Sequence, residues 1–163
     1  MANQKRGVST RIKLVGGEVT FSMQDSQFVE MRQPLDHYTK GSKDFSPVFE
    51  EFWQYHKRSI QRNFEAEGRP EKWAPLKAAT IRARIRMGYG AGPILVRTGA
   101  LKRGFRADWG PRSYRVGNLK FYFPYHQLGA PRANIPARPM LTLLPQDLAQ
   151  FTRIARKHLG ADE

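Results

Sequence analysis

The amino-acid sequence predicts an α+β fold, in which an antiparallel sheet with an N-terminal β-hairpin packs against a long central helix, a second helix and a C-terminal helix. Three observations predict it. Apolar residues alternate on both sides of Gly16-Gly17, apolar residues recur at helical spacing from Phe49 to Phe64, and short alternating runs separated by glycine-containing turns fill 105–123.

The hairpin is expected over 8–23. Gly16-Gly17 offers a two-residue loop in which both positions take φ > 0. With that loop Leu14 faces Val19, Ile12 faces Phe21 and Thr10 faces Met23, all on one face of the pair. Residues 24–45 show no clean period, contain Pro34 and Gly41, and read as an irregular arm or loop with a helical turn near Phe28–Met31. The central helix follows. Ser46 is placed to cap it, Pro47 suits the first helical position and Gly68 is placed to end it. Phe49, Phe52, Trp53, His56, Ile60 and Phe64 form one apolar stripe, on which His56 is read as a packed histidine and not a ligand. Trp73-Ala74-Pro75-Leu76 leads into a second helix over about 77–87, closed by Gly88, with Leu76, Ile81 and Ile85 on its thin apolar side. Arg82 and Arg86 share a face of that helix and Arg84 points away. After the glycine-rich loop Gly88–Pro93, expected to be mobile in the free protein, short runs at 94–96, 105–109, 113–116 and 120–123 read as an antiparallel meander. Residues 129–139 form a Pro/Gly/Arg-rich loop, and Pro145 opens a last helix with Leu148, Phe151, Ile154, Ala155 and Leu159 on one face.

At 163 residues the chain is expected to be one domain, with enough apolar residues (40%) to bury a core. The mean hydropathy is −0.62 and no apolar run approaches the ~20 residues that cross a bilayer, so no membrane partner is expected. Met1–Arg11 has no apolar stretch behind its Lys and Arg and is not expected to be a signal peptide. Cysteine is absent, which excludes disulfides, thiolate nucleophiles and Cys-based zinc sites and fits folding in a reducing cytoplasm. The net charge is +14, and residues 76–140 hold most of it, with thirteen Lys/Arg against the single Asp108. So lopsided a field meets a polyanion, an acidic protein or solvent. Composition alone leaves a nucleic-acid-binding segment and a solvated surface equally open.

No catalytic constellation emerges. Gly88, Gly90 and Gly92 follow a helix, whereas a dinucleotide fingerprint follows a strand, and no Gly-Lys-Ser/Thr is present. His37, His56, His126 and His158 lie too far apart for a local metal site. A metal-dependent nuclease needs clustered carboxylates, and the basic segment offers one. Neither cofactor nor metal is expected. Aromatics interleave with the basic residues, but at the spacing of a packed sheet face more than of a base-stacking platform.

Three stretches carry a resemblance. Phe64 to Thr80 contains Glu67-Gly68, Trp73-Ala74-Pro75-Leu76 and Thr80; Ile94 to Leu101 contains Leu-x-x-Thr-Gly-x-Leu; and Tyr125-His-Gln-Leu-Gly129 is followed by Ile135-Pro-Ala-Arg-Pro-Met-Leu141. In order and at these intervals, covering roughly 48–158, they resemble the phage virion-morphogenesis, or tail-completion, proteins. The resemblance implies a structural protein of a tailed bacteriophage that does no chemistry. It would be made in the host cytoplasm and reside in the virion, completing the tail or joining it to the filled head. It implies a ring, often of six copies, and as partners the neighbouring neck and tail proteins (connector, stopper, tail terminator or tail tube), with genome DNA in the channel as a further contact. A nonspecific nucleic-acid-binding module using 76–140 is the competing reading.

The matched residues also have physical roles of their own. Trp73, Pro75 and Leu76 are expected to stiffen the start of the second helix, and Gly99 to permit a tight turn after Thr98. Arg138, between Pro136 and Pro139, is either presented to a partner or held internally by a salt bridge. The candidate contact residues are Arg82, Arg86, Arg97, Thr98, Gly99, Arg132 and Arg138.

Overall fold

The structure is a computed structural model that describes residues 44–160 in full, together with the backbone of three strands at 9–14, 17–24 and 28–32. In chain order the elements are β1 (Ser9–Leu14), β2 (Gly17–Gln24), β3 (Phe28–Arg32), α1 (Ser46–Glu65), α2 (Ala78–Arg86), α3 (Ala100–Arg103), β4 (Phe105–Gly110), β5 (Ser113–Asn118), α4 (Phe123–Gln127) and α5 (Pro145–His158). The five strands form one sheet in the order β1-β2-β3-β5-β4, and every neighbouring pair is antiparallel. The fold is α+β, as expected.

Three strand assignments change. Residues 28–32, read above as part of an irregular arm with a helical turn, form β3 and bridge β2 to β5. Val29 and Met31 alternate with Glu30 and Arg32, a period of two that is too short to distinguish from a helical turn before the partner strands are known. Residues 25–27 and 33–43 of that arm lie outside the described residues, as does the turn between β1 and β2. The pairing of β1 with β2 sets Ile12 opposite Val19 and Thr10 opposite Phe21, two residues along from the expected register. Residues 120–123 do not form a meander strand. Lys120 N–H is held by Asn118 Oδ1 (3.0 Å), Phe123 N–H by the Lys120 carbonyl (2.9 Å), and Pro124 in the first turn starts α4. Nor is 94–96 a strand: it is a turn.

Helix α1 forms where its stripe predicts. Its N-terminus is held by Asp44, whose Oδ1 accepts from Ser46 N–H (2.8 Å), so Ser46 is the first helical residue and not the cap. Past its end Gly68 takes φ +111° and its N–H bonds the Asn63 carbonyl (2.9 Å). Phe49, Phe52, Ile60 and Phe64 are buried and Trp53 is half-buried, while Ser59 and Asn63 join the buried face as polar members. Phe49 and Phe52 meet Tyr114 of β5 and Phe151 of α5 with ring centroids 5.2–6.1 Å apart, which joins helices and sheet in one aromatic cluster.

Asp147 ties α1 to α5. It is fully buried, its Oδ1 accepts from Ser59 Oγ (2.8 Å) and its Oδ2 accepts from Leu144 N–H at the start of α5 (3.0 Å). Removing the carboxylate orphans two buried donors. Asp147→Ala is therefore expected to destabilise by about 2 kcal/mol, and Asp147→Asn by less, read from urea unfolding at pH 7. Equal stability of all three proteins would refute this role.

Candidate functional site

The three motif stretches fold against one another. Trp73 Nε1–H donates to the Pro139 carbonyl (2.9 Å), while Arg138 reaches back with Nε–H to the Ala74 carbonyl (2.9 Å) and with Nη2–H to the Pro75 carbonyl (3.1 Å). Gln127, buried, donates to the Leu141 carbonyl (2.9 Å) and accepts from Met140 and Leu141 N–H (2.8 and 3.0 Å), and Asn63 donates to the Met140 carbonyl (2.8 Å). The segment 138–141 pairs with no strand, so the Gln127 and Asn63 amides, the Trp73 indole and the His126 carbonyl complete its backbone hydrogen bonds. The turn at Thr98-Gly99 is as expected. Gly99 takes φ +71°, its carbonyl accepts from Arg103 N–H (3.0 Å) and α3 begins at once.

Between these stretches opens a cleft of about 450 Å³. Lys77, just before α2, and Thr80 and Arg84 within it line one side, and Arg97, Thr98 and Leu101 another. Tyr122, His126, Ile135 and Arg138 complete the wall, with Leu76 and Leu95 supplying further apolar surface. Every charged residue of the lining is basic.

Arg84 points away from exposed Arg82 and Arg86, as expected, and the face it occupies is the inner one. It is the buried residue of α2, and its Nη1–H and Nη2–H donate to the carbonyls of Pro93 and Gly92 (3.0 Å each). Glu67 Oε1 accepts from Ile94 N–H (2.7 Å) and Arg97 lies over the Tyr89 ring (5.4 Å), so the glycine-rich loop and its flank make three contacts with the rest of the chain. With Arg84 facing inward, Ile85 is exposed.

Of the candidate contact residues, Arg97, Thr98 and Arg138 line the cleft; Arg97 and Thr98 are exposed and Gly99 is buried beneath them. Arg138 is 6% exposed, so it is held internally, though by backbone carbonyls and not by the salt bridge considered above. Arg82 and Arg86 are exposed on α2 and Arg132 on a 3₁₀ turn over Pro131–Ala133, all outside the cleft lining. Sequence reasoning missed Lys77, Thr80, Arg84, Tyr122 and His126 as members of one site. His126 is held below its ordinary pKa, first by burial and then by the Arg138 charge.

A comparison with protein families matches the model of the phage virion morphogenesis family to residues 26–160, a span that contains all three stretches and the whole cleft. The chain belongs to that family. Membership gives this virion morphogenesis protein a structural or assembly part in the phage particle. Neither the curated proteins nor the solved structures contain a match. Among the described residues no helix is long and apolar enough to cross a membrane, and no cluster of His, Asp and Glu could hold a metal ion.

Proposed function

We propose that this protein completes the tail or joins it to the filled head, as one of several copies in a ring in the neck or connector region, and that it does so without catalysis. The family membership carries the reading. Its surface supports it. Leu119, Phe121, Tyr125 and Leu128 stand 62, 74, 53 and 48% exposed on and beside the short helix α4, a run of large apolar side chains left in water within ten residues. Such residues are at home in a contact with another chain. The partners in this reading are further copies of the chain and the neighbouring connector, stopper, tail terminator or tail tube.

The second reading, a nonspecific nucleic-acid module, draws on exposed arginines of the basic segment such as Arg82, Arg86, Arg115 and Arg132. The two separate in one experiment. A phage lacking this protein is expected to accumulate filled heads and unattached tails, and purified protein added to the lysate is expected to restore joining. Joined, infective particles in its absence would refute the proposal. Duplex binding that falls steeply along a salt series, with particle assembly unaffected, would favour the nucleic-acid module.

A further inference from the structure

The cleft between the three motif stretches holds positive charge that nothing in the described chain balances. Arg84 is 5% and Arg138 6% exposed, and an arginine keeps its proton under all ordinary conditions. Their bonded partners are main-chain carbonyls of residues 92, 93, 74 and 75, which satisfy N–H groups but carry no net charge. Buried cations are normally paired with an anion, because desolvation without a countercharge costs several kcal/mol. Here Lys77 and Arg97 add two exposed cations to the same lining. Glu67, the carboxylate bonded to the neighbouring loop, is engaged by Ile94 N–H and does not line the cleft.

Two further features point the same way. Arg84 Nε and His126 Nδ1, both in the lining residues, are buried polar atoms with no hydrogen-bond partner. Helix α2 starts in this wall, between Lys77 and Thr80, with no side-chain cap and no acidic residue in its first turn, so the positive end of its dipole is uncompensated too.

We infer that the cleft receives a carboxylate-bearing segment of a different virion protein, whose acidic side chain meets Arg97, Lys77 and the start of α2 while an adjacent apolar side chain packs on Leu76, Leu95 and Ile135. The inference rests on the assembly reading for its partner being a protein. A cleft of this volume has the size of a side-chain or small-ligand site. A nucleic-acid backbone is instead followed by a track of cations over an open surface, and it has no use for aliphatic walls. A second copy, which can meet this chain elsewhere on its surface, is the poorer occupant of this cleft, since with 28 Lys/Arg against 14 Asp/Glu it brings mostly like charge to the lining, whereas an acidic partner is drawn in and set in register by the same field.

Zero-length carbodiimide coupling on purified virions, read by mass spectrometry, tests the inference. Lys77 is expected to form an amide with an Asp or Glu of another virion protein. Coupling of Lys77 to an acid of a second copy, or no coupling there while Lys102 and Lys157 react, overturns it. In parallel, Lys77→Glu/Arg97→Glu is expected to reduce head–tail joining about tenfold or more. Arg153→Glu/Arg156→Glu, an equal charge change at exposed positions on α5, is expected to leave joining within about twofold. The thermal midpoint of each isolated variant is measured to show that it folds. Normal joining by the cleft variant, or an equal loss in the α5 variant, sinks the inference while leaving the assembly role standing. Joining that does not need the wild-type protein removes the assembly role instead.

Discussion

Phe64→Ala is expected to destabilise the protein by about 3–5 kcal/mol, the range for truncating a large aromatic in a packed core. Phe64 is 2% exposed near the end of α1 and meets two rings edge-on, Trp73 at 5.5 Å and Phe105 at 6.1 Å; Phe105 in turn meets Phe123 edge-on at 5.6 Å. One side chain thus joins the central helix to Trp73 and to β4, and through Phe105 to α4. Its two ring neighbours are held separately, Trp73 by its bond to the Pro139 carbonyl and Phe105 by its strand in the sheet, so they cannot both move in to fill the space. The loss is then the full transfer term plus a cavity term. Urea unfolding at neutral pH measures it, and a loss below about 1 kcal/mol would show that the core lies elsewhere. Phe64→Leu, which keeps much of the volume, is expected to lose less than half as much.

What the sequence made legible follows from the range of the interactions. Helix α1 is stated by a stripe sixteen residues long from Phe49 to Phe64, and Gly68, Gly88 and Gly99 mark chain reversals because each takes a positive φ that other residues resist. These are local facts. Strand β3 is not local, because five residues with an ambiguous pattern become a strand only when β5, some eighty positions later, lies alongside. The run 120–123 fails for the opposite reason. It alternates like a strand, but Pro124 and the Asn118 side chain settle the backbone locally as a turn and a helix start.

The cleft shows the same division. Arg97, Thr98 and Arg138 were singled out by motif, and all three are in its wall. Lys77, Arg84, Tyr122 and His126 come from segments that only the fold brings together, and no spacing in the chain announces that. Arg138 between two prolines reads equally as a presented side chain or as one held by a salt bridge; its guanidinium turns inward, to the carbonyls of Ala74 and Pro75. Backbone carbonyls have no signature in a sequence, so arginines that bind them are easily mistaken for surface contacts. Arg84 is the clearer instance: helix spacing placed it correctly on the face opposite Arg82 and Arg86, and what was missing was that this face is the inner one.

The buried His56 is expected to make the protein acid-sensitive well above the range in which carboxylates protonate. His56 is 2% exposed; one ring nitrogen, Nδ1, shares a 3.0 Å hydrogen bond with the Tyr114 hydroxyl and the other, Nε2, has no partner. Burial lowers its pKa from the ordinary 6.5 to about 4, with the Asp147 charge opposing that shift. In the unfolded chain His56 takes up a proton near pH 6.5, whereas the folded protein refuses it until about pH 4. Between those values the unfolded state holds more protons, so stability falls as the pH falls through that window. This contribution is complete above about pH 6.5 and lost below about pH 4, and the difference between the two pKa values amounts to about 3 kcal/mol. His126, also held below its ordinary pKa, adds a change of the same sign, so a comparison with His56→Gln is needed to isolate His56. Glutamine can keep a hydrogen bond to Tyr114 and does not titrate. Urea unfolding of both proteins from pH 7.5 to 4.5 should show the wild type losing about 2–3 kcal/mol more than the variant, and the His56 ring resonances should remain those of a neutral imidazole at pH 5. Parallel losses in the two proteins, or a His56 ring that titrates near pH 6.5, would mean that the histidine is not sealed in the core between α1 and β5.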